Sequence, residues 1–201
     1  MHILCSDLEG VFVPEVWINV AKKTGIEELK LTTRDISDYD VLMTRRLKIL
    51  KEHNLTLNDI QDVIATIKPL DGAKEFLDFL RTKIPVIVVS DTFKEFAKPL
   101  MAQLGNPTLL CHSLTTNGDG MITNYNLRQK DPKRKVVQAL QSLEYEIIAM
   151  GDSYNDVTML QQANQGILFS PPQNVIDEFP QFPVVTNYEE LREELSNIIS
   201  L

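Results

Sequence analysis

The chain has 201 residues, 43% of them apolar and 24% charged, with a formal net charge of −8. That length can bury a full core with room for an insertion, and the acidic balance argues against a nucleic-acid partner, because phosphate backbones are bound through basic patches. No apolar run reaches the length of a membrane span and no basic-then-apolar leader opens the chain, so neither a membrane partner nor secretion is expected, and the expected location is cytoplasmic.

The first predicted element is a short apolar strand, residues 2–6, that runs into Asp7 with Glu9 two positions on. In open α/β sheets the ligand crevice lies at the carboxyl ends of the strands, so a nucleophilic carboxylate and a second carboxyl group for acid/base work would both face a ligand there. An ordinary solvated acidic turn gives the same pattern, and further motifs are needed to choose. From Pro14 to about Pro69 three helical segments follow without a strand. The stretch 14–70 therefore reads as a helical cap inserted over the active edge, with 1–13 and 71–201 forming the core. Within it, a helical projection of 39–50 puts Tyr39, Leu42, Met43 and Leu50 in an apolar stripe with Arg46 near its centre. An arginine so placed needs a carboxylate, either in a structural salt bridge or on a ligand gripped bidentately. Glu15, just after Pro14, either favours the helix dipole or meets a ligand's ammonium group.

Asp71-Gly72 opens a helix with Ala73, Phe76, Leu77 and Leu80 at i, i+3, i+4 and i+7, and Pro85 begins a strand, 85–90, that ends at Ser90. The Ser90 hydroxyl and the Asp91 amide can each donate to a phosphoryl oxygen. A strand at 108–111 is followed by the turn Asn117-Gly118-Asp119-Gly120, which joins two short strands. Asp131 and Pro132 read as cap and first residue of a helix, which puts Lys133 in the first turn, where the dipole disfavours a cation by roughly 0.3–1 kcal/mol. Lys133 shares its face with Val136, Val137 and Leu140, so it reads as an inward lysine suited to a bound phosphate; a snorkelling surface lysine is the plainer alternative.

The strand 146–150 ends in Gly151-Asp152-Ser153-Tyr154-Asn155-Asp156. Asp152 and Asp7 together suit a hard cation such as Mg²⁺, although a plain turn and helix cap would use the same residue types. Strands at 166–169 and 183–186 and a helix from Tyr188 to Ile199 complete an alternation that reads as an α/β fold with a parallel sheet. Cys5 and Cys111 read as buried apolar residues rather than a disulfide, and His2, His53 and His112 lack metal-ligand spacing.

In this order the segments Asp7-Leu8-Glu9-Gly10-Val11, Ser90-Asp91-Thr92, Lys133 and Gly151-Asp152-Ser153-Tyr154-Asn155-Asp156 resemble the four signature motifs of the haloacid dehalogenase superfamily. Thr33-Arg34-Asp35-Ile36, Tyr39-Asp40-Val41-Leu42-Met43, Ser90-Asp91-Thr92-Phe93 and Arg128-Gln129-Lys130-Asp131-Pro132-Lys133-Arg134 narrow the resemblance to the bacterial bifunctional phosphoserine phosphatase/homoserine phosphotransferases. It implies a Rossmann-like core with a helical cap, Mg²⁺, phosphoserine as phosphoryl donor, and water or homoserine as acceptor. It further implies Asp7 as nucleophile, Glu9 as acid/base, and Asp7, Asp152 and the Glu9 backbone carbonyl as metal ligands, with Asp156 supporting them. Ser90, Asp91, Lys133 and Asn155 would then hold the phosphate, and Glu15 and Arg46 the amino acid. Two departures stand out: Glu9 occupies a position where such phosphatases usually carry Asp, and Asp91-Thr92 replaces a typical Gly-Gly pair. A capped phosphatase for another small phosphate monoester is the alternative reading. A phospho-accepting signalling receiver fits less well, because receivers are shorter and have no helical insertion. A homodimer is compatible with all of these.

Overall fold

The structure is a computed structural model, and it describes residues 1–32, 35, 36 and 38–199. Thr33 and Arg34, half of the motif Thr33-Arg34-Asp35-Ile36, lie outside the described residues. Seven strands form one sheet in the order β4-β3-β2-β1-β5-β6-β7: β1 His2–Ser6, β2 Val86–Phe93, β3 Thr108–Thr116, β4 Ile122–Asn126, β5 Glu146–Gly151, β6 Gln165–Phe169 and β7 Val184–Val185. All neighbours run parallel except β3 and β4, which form the antiparallel hairpin expected at Asn117-Gly118-Asp119-Gly120. The fold is thus the expected α/β class.

The side-chain alternation of β1 decides how the sheet is covered. Leu4 packs into a cluster on one face with Val88, Ile148 and Met150, whereas Ile3 and Cys5 point into the other with Val89, Ile147 and Ala149. Both faces being apolar, the strand is buried on each side, as a central parallel strand must be. β1 pairs with β2 on one side and β5 on the other, Ser6 lying opposite both Val88 and Met150. The chain order reverses at β1, and in such sheets the crevice for ligands opens at the carboxyl ends of the strands flanking the reversal. Asp7, Ser90 and Asp152 stand at those ends.

The stretch 14–70 carries α1 Val16–Thr24, a 3₁₀ turn Glu27–Lys30, α2 Tyr39–Glu52 and α3 Leu57–Ala65. α1 stops at Gly25, whose φ of 73° suits glycine, and α3 starts with a capping box between Thr56 and Asp59. α3 packs on α1 and on α5 Lys94–Gln103, which follows β2. Pro99 inside α5 has no N–H to give the Glu95 carbonyl. The Gln61 side chain of α3 donates to that carbonyl instead, at 2.7 Å. α2 lies against the hairpin, where Tyr125 donates to Asp40 and meets the Tyr39 ring edge-on.

The remaining helices are α4 Ala73–Arg81, α6 Pro132–Gln141, α7 Val157–Gln162, α8 Gln173–Glu178 and α9 Tyr188–Ile198. Three differences from the sequence reading have local causes. β2 continues past its expected end at Ser90 through Asp91-Thr92 to Phe93, because a register shift against β3 accommodates these residues. β3 runs on to Thr116, its polar end being half of an edge hairpin. Asp131 is the N-cap residue of α6 as expected, but it adopts a left-handed conformation with φ 51° and makes no side-chain capping bond, its carboxylate accepting from Arg134 Nε and Thr158 Oγ1. Among the described residues no helix is long and apolar enough to cross a membrane.

Candidate functional site

A cavity of about 210 Å³ opens at the carboxyl ends of β1, β2 and β5, lined among others by Asp7, Glu9, Glu15, Arg46, Ser90, Asp91, Lys133, Asp152 and Asn155. Of the ten residues picked out from the sequence, only Asp156 is absent from its wall. Asp156 lies fully buried behind it.

Lys133 is the electrostatic hub. It is only 2% exposed, and its Nζ lies 2.7 Å from Asp156 Oδ1, 2.9 Å from Asp7 Oδ2 and 3.5 Å from Asp91 Oδ2. Burial opposes the ammonium charge, but the carboxylates of Asp156, Asp7 and Asp91 outweigh it and hold the lysine protonated well above its ordinary range. This is the anion that a lysine in the first turn of α6 required, met by three side chains instead of solvent. Asp7, 4% exposed, accepts the Leu8 N–H on Oδ1 at 2.7 Å. Its burial, followed by repulsion from Asp156, lifts its protonation above the usual carboxylate range against the pull of Lys133.

Two glycines make the acidic cluster possible. Gly10 has φ 75°, and a Cβ there would lie 2.4 Å from the Asp152 carboxyl carbon; a Cβ on Gly151 would lie 2.3 Å from that of Asp156. Each glycine lets a carboxylate pack against backbone. Oxygens of Asp7, Asp152 and Asp156 all lie within 4.8 Å of one another. Burial and then the neighbouring charge of Asp156 push Asp152 up to about 7. Asp156 accepts from the N–H groups of Asp152 and Ser153 at 3.0 and 3.1 Å in addition to Lys133, so its oxygens are already engaged. An all-oxygen, crowded and anionic donor set fits a hard divalent cation.

Glu9 lines the same cavity. Its Oε2 accepts the Val16 N–H at 2.8 Å, and burial, with Glu15 nearby, raises it to about 7. Ser90 is 3% exposed and its Oγ accepts the Thr92 N–H at 3.2 Å. Asn155 donates to Asp91 Oδ2 at 3.3 Å and accepts from Ser153. Asp91 is held well below the usual carboxylate range: burial works against its charge, but Lys133, His112 and Asn155 prevail.

At the helical side of the cavity Glu15 is the N-cap residue of α1, without a side-chain capping bond. Of the two readings of Arg46, the structural salt bridge does not form among the described residues. The Arg46 guanidinium stacks 4.3 Å over the Trp17 ring, Nη2 donates to the Leu31 carbonyl at 2.8 Å, and Nε has no hydrogen-bond partner among the described residues. The arginine is therefore desolvated against an aromatic face, which lowers its proton affinity to about 10.

The sequence reading did not find His112, buried behind Asp91, or Trp17 and Ile18 in the cavity wall. His112 was set aside for lacking metal-ligand spacing, and only its position five residues into a strand beside β2 could have pointed to it.

The model of the haloacid dehalogenase-like hydrolases matches residues 9–164. The chain belongs to the haloacid dehalogenase-like hydrolase family. It is 62% identical over 194 residues to the phosphoserine phosphatase ThrH of Pseudomonas aeruginosa, covering 96% of this chain and 95% of that one. The same identity over 194 residues relates it to a phosphoserine phosphatase of Pseudomonas syringae pv. tomato, of which 82% is covered. Among solved structures, a phospho-aspartyl intermediate analogue of phosphoserine phosphatase superposes with a TM-score of 0.76 over 96% of this chain and 97% of that one, at 19% identity. A substrate-bound phosphoserine phosphatase does so with a TM-score of 0.75 over 97% of each, at 20% identity. At that identity the two structures speak for the haloacid dehalogenase fold.

Proposed function

We infer that the chain is a Mg²⁺-dependent phosphoserine phosphatase that works through an aspartyl phosphate on Asp7 and passes the phosphoryl group to water or to homoserine. The observation that carries this reading is a single cavity with the buried Asp7–Lys133 pair at one side and Glu15 and the under-bonded Arg46 at the other. Phosphoserine has matching ends: a phosphate dianion, and an ammonium and carboxylate. Relatives at 62% identity carrying the phosphoserine phosphatase name support the choice. Residues 14–70 act as the cap over a core of 1–13 and 71–201.

An Asp7 oxygen attacks phosphorus as the bond from phosphorus to the serine oxygen breaks, and Glu9 gives that oxygen its proton. Lys133, Ser90 and Asn155 hold the phosphoryl oxygens, where preorganised donors stabilise the developing charge. Glu9 then takes the proton of water, or of the homoserine hydroxyl, as that oxygen attacks phosphorus and the bond to Asp7 breaks. Asp7, Asp152 and the Glu9 backbone carbonyl would hold Mg²⁺, with Asp156 supporting them, and the ion would neutralise phosphoryl oxygens when bound. Arg46 and Glu15 grip the carboxylate and ammonium of whichever amino acid is present. Homoserine places its hydroxyl one methylene farther out than serine, and its oriented hydroxyl can compete with water because effective molarities of well-placed groups reach about 10⁵–10⁸ M.

The test is ³¹P NMR of the protein with Mg²⁺ and phosphoserine, with and without excess homoserine. Inorganic phosphate in the first sample and a growing homoserine phosphate signal in the second are expected. Phosphate alone in both would reduce the reading to a phosphatase, and intact phosphoserine in both would overturn it.

A further inference from the structure

Asp91 is out of place at a phosphate site. Its carboxylate, side chain 33% exposed, faces the cavity that also holds Ser90 and Asp7, and it would repel an incoming phosphate dianion. Its two oxygens are nevertheless turned to definite partners. Oδ2 meets Lys133 Nζ at 3.5 Å and Asn155 Nδ2 at 3.3 Å, and Oδ1 meets His112 Nε2 at 3.6 Å.

His112 is 4% exposed, sits on β3 opposite Phe93, and accepts the Arg128 N–H on Nδ1 at 3.0 Å. Nδ1 being an acceptor, the ring proton sits on Nε2, the nitrogen aimed at Asp91. One imidazole thus joins Asp91 on β2 to Arg128, five residues before Lys133 in the segment that delivers the lysine. The Nε2 proton draws Oδ1 toward β3 and leaves Oδ2 to brace Lys133 and Asn155.

Resting on the phosphomonoester reading above, we propose that His112 is a positioning residue: it fixes Asp91 so that this carboxylate aligns Lys133 and Asn155 on the phosphate instead of competing with the phosphate for them. Without the imidazole, Asp91 is free to turn its charge into the phosphate subsite. His112 acts through Asp91 on how Lys133 and Asn155 meet the phosphate, and it touches neither Asp7 nor the phosphate itself.

The experiment is a double-mutant cycle of His112→Leu and Asp91→Ala in the full chain with Mg²⁺, reading KM and kcat for phosphoserine and competitive inhibition by inorganic phosphate. His112→Leu is expected to raise KM and the phosphate inhibition constant about tenfold while kcat stays within about twofold, the loss of one hydrogen-bonding partner of a charged group. His112→Gln, whose amide can still donate toward Asp91, should recover most of that loss. In the Asp91→Ala background His112→Leu should add nothing; additive losses, or a fall in kcat at unchanged KM, would overturn the proposal. ¹⁵N NMR of the wild-type imidazole covers the case in which the leucine variant does not fold: a proton on Nδ1 instead of Nε2 overturns the arrangement. Wild-type protein inactive on phosphoserine would refute the phosphoserine reading itself, whereas active wild type with an additive cycle would refute only the role of His112.

Discussion

Glu9 Oε2 accepts the Val16 N–H at 2.8 Å, so the carboxyl group two residues from Asp7 also satisfies the first backbone donor of α1. Glu15, the N-cap residue, leaves that duty undone. An aspartate at position 9 would be a methylene shorter, which gives the Glu9 departure a physical reason: the longer arm reaches the start of the helical segment. On the proposed mechanism Glu9 protonates the serine oxygen, and the Val16 N–H holds it for that task.

The donor can be deleted without breaking the helix. Val16 is the first residue of α1, where proline is tolerated, and Glu15 at φ −50°, ψ 118° already lies outside the helical region that a following proline disfavours. Val16→Pro should slow phosphoserine turnover about tenfold more than turnover of p-nitrophenyl phosphate, whose leaving group needs no acid. Val16→Ala keeps the N–H and should slow both alike. Steady-state kinetics on the two substrates is the check, and equal effects of the proline on both would leave Glu9 unaided by α1.

Asp7→Asn should lower phosphoserine turnover by more than about 10³-fold while circular dichroism stays native, because an amide is not a nucleophile toward phosphorus. Beryllium fluoride with Mg²⁺ should raise the melting temperature of the wild type and leave that of Asp7→Asn unchanged.

On the proposed reading the acidic cluster links Mg²⁺ binding to pH. Asp152 is raised from 3.8 to about 7 in the folded chain by burial and by Asp156. Its proton is held by the folded state and lost by the unfolded one between those values, so its contribution to stability in chelator is full below 3.8 and declines as pH rises through about 7. A cation replaces that proton, so the rise in melting temperature on adding Mg²⁺ should be larger at pH 8 than at pH 5. Thermal denaturation in EDTA and in Mg²⁺ at the two pH values measures it. Asp152→Asn should abolish the Mg²⁺-dependent difference.

Lys133 is a buried cation among three carboxylates, so removing it leaves charges without compensation. Lys133→Met should cost about 3–5 kcal/mol of stability, the range for breaking a buried ion pair. Urea denaturation at pH 7.5 is the measurement, and a loss below about 1 kcal/mol would mean that the carboxylates find relief by protonation or hydration.

The alternation of strands and helices was legible in the sequence, and nine of the ten picked residues line one cavity: most stand where apolar runs give way to polar residues, while Glu15 and Arg46 were read from the helical segment. Lys133 was readable as an inward residue since Val136 and Val137 share its face and are buried with it. Asp131 was readable as the residue before the helix, but not the partners of its carboxylate, because Arg134 and Thr158 claim it in place of a capping bond. Gly10 could not be read at all: its requirement comes from Asp152, which lies next to it only through the pairing of β1 with β5. His112 was hidden for the same reason, since its partner Asp91 belongs to a neighbouring strand whose register shifts between Val89 and Phe93.

Arg46 supplies the last prediction. It was expected to need a carboxylate, and the described residues give it instead the Trp17 ring, the Leu31 carbonyl and a distant Met43 sulfur, with Nε unbonded. A buried guanidinium donor without a partner is costly, and a substrate carboxylate in the adjoining cavity would remove that cost on binding. Arg46→Lys keeps the charge but loses the planar fork and its stacking, so lysine should not substitute well. Both Arg46→Lys and Arg46→Ala are expected to raise KM for phosphoserine by about tenfold or more, the worth of a charge-assisted hydrogen bond of about 1.5–3 kcal/mol. Turnover of phosphoethanolamine, which keeps the ammonium and phosphate but has no carboxylate, should change little. Equal losses on the two substrates would make Arg46 a packing partner of Trp17 and nothing more.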